Sequence, residues 1–206
     1  DLPNIQRKIM HSCAKLGKRS IVATHLLESM IENPTPTRAE VTDVANAVYE
    51  GADAIMLSGE TSIGKYPVEC VKFLKSISKR TEKFKTLEYE KELITKSDWE
   101  SIAVAARDLS ELINADGIIA VTRTGSTAGF ISNAKPKDIP IYTFTNNINT
   151  LNQLSLVGSV IPFYLKRLNN HKKTLEHVKD VLKPLHRKKK LKFVMVSGIF
   201  SEKHSE

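Results

Sequence analysis

Short apolar runs alternate with amphipathic helical stretches along this chain, and that alternation restricts its fold more than any other feature. The runs fall at 20–23, 54–57, 117–121, 139–144, 160–165 and 193–196. Each is largely apolar rather than apolar at every second residue, the pattern of a strand covered on both faces. Most are separated by enough chain for a helix. Strands of this kind lie parallel, with helices packed on their sheet. The run 160–165 is the weakest, because Pro162 has no amide to give a ladder and must sit at an edge or a bulge. The fold class expected is α/β.

The helices carry their own punctuation. Ile5, Ile9, Cys13 and Leu16 recur at spacings of four, four and three, one face of a helix, with Gly17 as its C-terminal turn. The strand 20–23 leads to a helical stretch and a polar loop marked by Pro34 and Pro36. Thr37 and Glu40 have capping-box spacing, and the helix behind them places Val41, Val44, Ala45 and Val48 on one face before Gly51. A further helix follows Pro67, with Val68, Val71, Phe73, Leu74 and Ile77 apolar. Two strand–helix units cannot close a sheet, so this part reads as a piece of something larger. From Thr81 to Ser97 the chain is charged and reads as a linker. Helices at 101–113, after Thr127, at 148–157 and at 171–185 complete a second α/β unit.

Charge and cysteine usage narrow the partners. The net charge of +8 suits a polyanionic partner, either nucleic acid or phosphorylated metabolites. The basic residues gather in His186-Arg187-Lys188-Lys189-Lys190 with Lys192, and in Arg7, Lys8, Lys15, Lys18 and Arg19. Solvated surface accounts for both groups. No aromatic residue is interleaved with the first to stack on single-stranded bases. No apolar run approaches the roughly 20 residues that cross a bilayer, and no secretory signal opens the chain. Neither a nucleic-acid nor a membrane partner is expected. Cys13 and Cys70, with no histidine at ligand spacing, fit reduced cytosolic thiols better than a disulfide or a zinc site. The sequence opens at Asp1 without a methionine, so a processed or cut piece is expected.

Three polar clusters follow apolar strands, at the ends where parallel α/β folds bind ligands. Thr24 could donate to an oxyanion or hold an ordered water, and a helix or turn cap explains it equally well. His25 beside it could titrate or be structural. Ser58, in Leu57-Ser58-Gly59-Glu60-Thr61, has no activating triad or nucleophile-elbow spacing, so hydrogen bonding suits it better than nucleophilic attack. Glu60 could bind a cation or cap a helix. The cluster Thr122-Arg123-Thr124-Gly125-Ser126-Thr127 precedes a helix, and its hydroxyls with the helix-start amides could hold a phosphate. A plain capped turn accounts for the same residues.

The stretch from Ala23 to Glu60 resembles the pyruvate kinase family, through Glu28-Ser29-Met30, Pro36-Thr37-Arg38-Ala39-Glu40 and Asp43-Val44-Ala45-Asn46-Ala47-Val48. The likeness continues through Tyr66-Pro67-Val68-Glu69 and more loosely beyond. It implies a partial (β/α)8 barrel, its last two strand–helix units in residues 1–87. A separate α/β regulatory domain follows in 88–206, stopping before the family's last strand. It implies transfer of a phosphoryl group from phosphoenolpyruvate to ADP, giving pyruvate and ATP, in a cytoplasmic homotetramer. Thr24 and Ser58 match hydroxyls that help to protonate the enolate, best through water given a hydroxyl's pKa. The family's Mg2+ and K+ ligands and catalytic lysine match no residue here, so this chain alone is expected to be inactive. Residues 122–127 match the loop that grips a phosphate of a sugar-phosphate effector, and Gly198 to His204 an effector-closing loop. His25 stands where the family usually has glutamine, and Ile63 where it usually has lysine, with Lys65 two places on. An isolated sugar-phosphate-binding module is the alternative reading, and a nucleic-acid-binding protein, suggested by charge only, is the third.

Overall fold

A computed structural model describes residues 1–23, 25–166, 171–186 and 190–198. Thr24 and the loop residues 199–204 lie outside the described residues. The chain forms two compact units, Asp1–Ile94 and Thr95–Glu206.

The first unit runs α1 (Leu2–Lys15), β1 (Ile21–Ala23), a 3-10 turn (Glu28–Ile31), α2 (Arg38–Tyr49), β2 (Ala54–Met56), α3 (Gly59–Ser62), α4 (Pro67–Thr81) and a second 3-10 turn (Tyr89–Glu92). β1 and β2 are parallel, with Ala23 opposite Met56, so the loops after them leave from one end. The capping box forms as the spacing requires: Thr37 Oγ1 accepts the Glu40 amide while Glu40 Oε2 accepts the Thr37 amide. Leu26, Leu27, Met30, Val44 and Cys70 form the core, with Val22, Ile55, Phe73 and Leu74 against it. α1 is tied to the end of α2 through Glu50, which takes Gln6 Nε2 at 2.8 Å and Arg7 Nε at 3.1 Å.

The apolar face of α1 departs from the sequence reading. Ile5 and Ile9 are 52% and 55% exposed, and the buried residue of that helix is Met10. Periodicity reports which residues share a face, not what covers it. Ile21 on β1 is likewise 66% exposed.

The second unit holds α5 (Asp98–Leu112), β3 (Gly117–Val121), α6 (Ser126–Asn133), β4 (Ile141–Thr145), α7 (Ile148–Leu154), β5 (Val160–Tyr164), α8 (His171–Leu182) and β6 (Phe193–Ser197). The sheet order is β5-β4-β3-β6, all parallel. Among the described residues β5 is an edge strand, which accommodates Pro162 opposite Thr143. β3 and β4 are buried along their whole length, as strands covered on both faces must be. One face packs Ala103, Ala106, Ile118, Ile131 and Leu154, the other Ile119, Val121, Phe144, Val178 and Leu182.

α5 begins earlier than its apolar pattern suggests, because Ser97 and Glu100 form a second capping box. Ser97→Ala is expected to cost this unit about 1 kcal/mol. Trp99 in the helix's first turn is the chain's one tryptophan, so its fluorescence in a urea titration reads the loss directly. Among the described residues no helix is long and apolar enough to cross a membrane.

Candidate functional site

Ser58 stands where the chain leaves β2 and enters α3. It is the N-cap of that helix, yet its side chain makes no cap hydrogen bond, so the hydroxyl is not consumed in starting the helix. Its amide donates to Glu60 Oε2 at 2.7 Å. The other carboxylate oxygen of Glu60 accepts the Leu27 amide at 3.0 Å, from the loop after β1. One side chain, 2% exposed, thus joins the carboxyl ends of both strands. Burial alone would raise the pKa of Glu60. The amides of Leu27, Glu60 itself and Ser58, with His25 nearby, outweigh that and hold it below the ordinary carboxylate value. Of the two roles open to Glu60 in the sequence, cation ligand or helix cap, the geometry bears on the cap, since Glu60 accepts the amide of the N-cap residue Ser58, and it adds a crosslink reaching back to residue 27.

His25 follows β1 with φ 52°, and its Nδ1 lies 2.9 Å from Glu28 Oε2. Lys65 pairs with Glu32, and its amide donates to the Ile31 carbonyl at 2.8 Å. Ile63 is exposed. Among the described residues no group of three or more His, Cys, Asp or Glu could hold a metal ion.

In the second unit, Thr122 to Thr127 follow β3 and open α6. Thr122 is buried, and its Oγ1 accepts the Gly125 amide at 3.0 Å, which fixes the turn. The Arg123 carbonyl accepts Thr150 Oγ1 at 2.9 Å, anchoring the turn to α7. Thr124 and Ser126 are exposed and bonded to each other, Oγ1 to Oγ at 2.9 Å. Thr127 is buried, and its Oγ1 would lie 3.6 Å from a Cβ placed on Gly198, the last described residue after β6. Gly125 takes φ 88°, a conformation that favours glycine, and caps α6 without a side chain. The loop therefore presents Arg123, Thr124 and Ser126 outward at a helix start whose dipole favours an anion.

The fold and these strand-end clusters define an α/β protein with a two-stranded parallel segment of a larger sheet and a separate four-stranded parallel domain. Residues 1–71 match the family described as pyruvate kinase, barrel domain, and residues 100–205 the one described as pyruvate kinase, alpha/beta domain. The chain belongs to the pyruvate kinase family. It is 42% identical over 180 residues to the pyruvate kinase of Thermotoga maritima, covering 85% of this chain and 38% of that protein. It is 39% identical over 186 residues to pyruvate kinase 2 of Synechocystis, covering 90% of this chain and 31% of that protein. The chain thus spans between 31% and 38% of the length of these relatives. A crystal structure of a pyruvate kinase from Cryptosporidium parvum superposes with a TM-score of 0.86 at 29% identity, over 94% of this chain and 40% of that one. One from Pyrobaculum aerophilum gives 0.85 at 30% identity, over all of this chain and 46% of that one. These matches give the first unit its context as part of a (β/α)8 barrel followed by a separate α/β domain.

Proposed function

We propose that this chain is the carboxyl-terminal part of a pyruvate kinase that moves the phosphoryl group of phosphoenolpyruvate to ADP. The observation that carries the reading is the family match over both units, with Ser58 at the carboxyl end of a barrel strand and its hydroxyl outside the helix cap. Residues 1–87 complete the catalytic barrel, and 88–206 form the regulatory domain. Thr24 and Ser58 serve the proton side of the reaction by ordering the water that protonates the enolate. Mg2+ and K+ are held by residues outside this chain, in a cytoplasmic homotetramer.

Phosphoryl transfer depends on positioning and on charge neutralisation by cations. The chain by itself should therefore show no turnover with phosphoenolpyruvate, ADP, Mg2+ and K+. A rate above about 1 per second, ordinary for enzymes, would contradict the division of labour proposed. In the full-length protein Thr24→Val is expected to lower kcat about 100-fold while leaving KM nearly unchanged. Equal changes in both parameters would remove Thr24 from the protonation step.

The loop Thr122–Thr127 supports an effector-phosphate site of the same protein. Titration of the chain with a hexose bisphosphate should give saturable binding that weakens at least about tenfold in Ser126→Ala, since a hydrogen bond to a charged group contributes roughly 1.5–3 kcal/mol. Unchanged affinity in Ser126→Ala and in Thr127→Ala would place the phosphate elsewhere.

A further inference from the structure

The chain's one tryptophan stands outside the apolar core. Trp99 lies in the first turn of α5, a helix that enters the core through Ala103 and Ala106 instead. Its side chain is 38% exposed and belongs to neither apolar cluster of the second unit. The ring reaches towards the carboxyl end of the sheet. A Cβ placed on Gly198 would lie 3.2 Å from Cη2 and 3.7 Å from Cζ2 of Trp99, and 3.6 Å from Oγ1 of Thr127. The tip of the indole and the Thr127 hydroxyl thus border the same point, where the backbone leaves β6. Two hydroxyls at this end are buried without a partner. Thr127 is 9% exposed, and its side chain makes no hydrogen bond among the described residues. Ser197, the residue before Gly198, also buries its Oγ with no hydrogen-bond partner among them. A buried hydroxyl left unpaired costs stability, so native structures keep few of them, and functional sites are one place where they persist.

We propose that Trp99 is the apolar wall of the ligand site at Thr122–Thr127, and that the C–H face of a phosphorylated sugar packs on its indole while the phosphate is held at the start of α6. The inference rests on the effector-phosphate reading of that loop and adds the residue that tells a sugar phosphate from free phosphate. The charges at the two helix starts divide the work. α6 has no acidic residue in its first turn and suits an anion, whereas α5 opens with Asp98 and Glu100 on either side of Trp99 and repels one. What Trp99 offers a ligand is therefore apolar surface. Ligand sites are mostly apolar, with a few polar groups fixing orientation. An indole supplies a large, rigid apolar face, and a sugar ring presents C–H groups that gain by leaving water for it. Inorganic phosphate has no such face and gains nothing from Trp99.

The whole parent chain, Trp99→Ala, Trp99→Phe and Ser126→Ala are each titrated calorimetrically with a hexose bisphosphate and with inorganic phosphate. Trp99→Ala is expected to weaken hexose bisphosphate about threefold to tenfold, the scale of one aromatic contact, and to leave phosphate affinity unchanged. Trp99→Phe keeps a ring and should retain most of the affinity. In the parent chain the emission of Trp99 should change with hexose bisphosphate along the calorimetric curve, and stay constant with phosphate. Far-UV circular dichroism checks that each variant is folded. Hexose bisphosphate binding that weakens in Ser126→Ala but not in Trp99→Ala overturns the wall and leaves the phosphate loop standing. Equal losses of phosphate and hexose bisphosphate in Trp99→Ala also overturn it, because the ring would then act only on the shape of the loop. Absence of saturable hexose bisphosphate binding in the parent chain removes the loop reading and the wall with it.

Discussion

Glu60→Ala is expected to destabilise the first unit by about 3 kcal/mol, because hydrogen bonds to a charged group contribute roughly 1.5–3 kcal/mol each and two are lost together. Its oxygens serve the Leu27 amide at 3.0 Å and the Ser58 amide at 2.7 Å, each from a different strand-end loop. With the carboxylate removed, two amides at a buried position lose their acceptors, and partial relaxation returns only part of the cost. Glu60→Gln, which keeps one carbonyl oxygen, should lose about half as much. Hydrogen exchange at Leu27 and Ser58 measures the effect, and an alanine variant within about 1 kcal/mol of the parent would show that the loops hold without the crosslink. Ser58 should shift with its amide, so in the full-length protein Glu60→Ala is also expected to lower kcat.

The same carboxylate gives the unit an acid limit. Burial works against the ionised form of Glu60, but the amides of Leu27, Glu60 and Ser58 prevail and its folded pKa is lowered. A group whose folded pKa lies below the unfolded value of about 4.3 contributes stability above that value and loses it as pH falls through the folded one. Glu40 behaves alike: burial raises its pKa, and the Ser29 and Thr37 hydrogen bonds lower it further than burial raises it. The first unit should therefore unfold more readily at and below roughly pH 4, and Glu60→Gln should flatten that dependence.

These carboxylates show where sequence reading succeeds and where it stops. The Thr37–Glu40 box is legible because both partners lie within one helical turn. Ser97–Glu100 has the same spacing, but the charged composition around it reads as linker and conceals it. The edge position of β5 is legible from Pro162, whose chemistry admits few alternatives. Glu60 is illegible as a crosslink because its partner, Leu27, is 33 residues away and contributes a backbone amide, which every residue has. In the loop after β3, four hydroxyls look equivalent in the sequence. The turn separates them, taking Thr122 inward to receive the Gly125 amide and leaving Thr124 and Ser126 at the surface. That sorting depends on the positive φ of Gly125, which the glycine permits but does not announce.

Phe144→Ala is expected to be costlier still, about 4 kcal/mol for the second unit, within the range for removing a buried phenyl ring from a core. Phe144 is fully buried on β4 and stacks on Phe163 of the edge strand, centroids 5.3 Å apart. It packs with Val121, Leu165, Val178 and Leu182, so its ring joins three strands to α8. The surrounding backbone cannot close over the space a ring leaves, which makes the cavity the larger part of the loss. The effect should reach the candidate phosphate loop, because the Phe144 carbonyl accepts the Thr122 amide at 3.0 Å, where that loop begins. Phe144→Ala should therefore lower stability and hexose bisphosphate affinity together, whereas Ser126→Ala should lower affinity with the Trp99 unfolding midpoint unchanged. If Phe144→Ala shifted the Trp99 transition by less than about 1 kcal/mol, the ring would not be the link between the β4 core and the loop, and the loop would have to draw its shape from Gly125 and Thr150 alone.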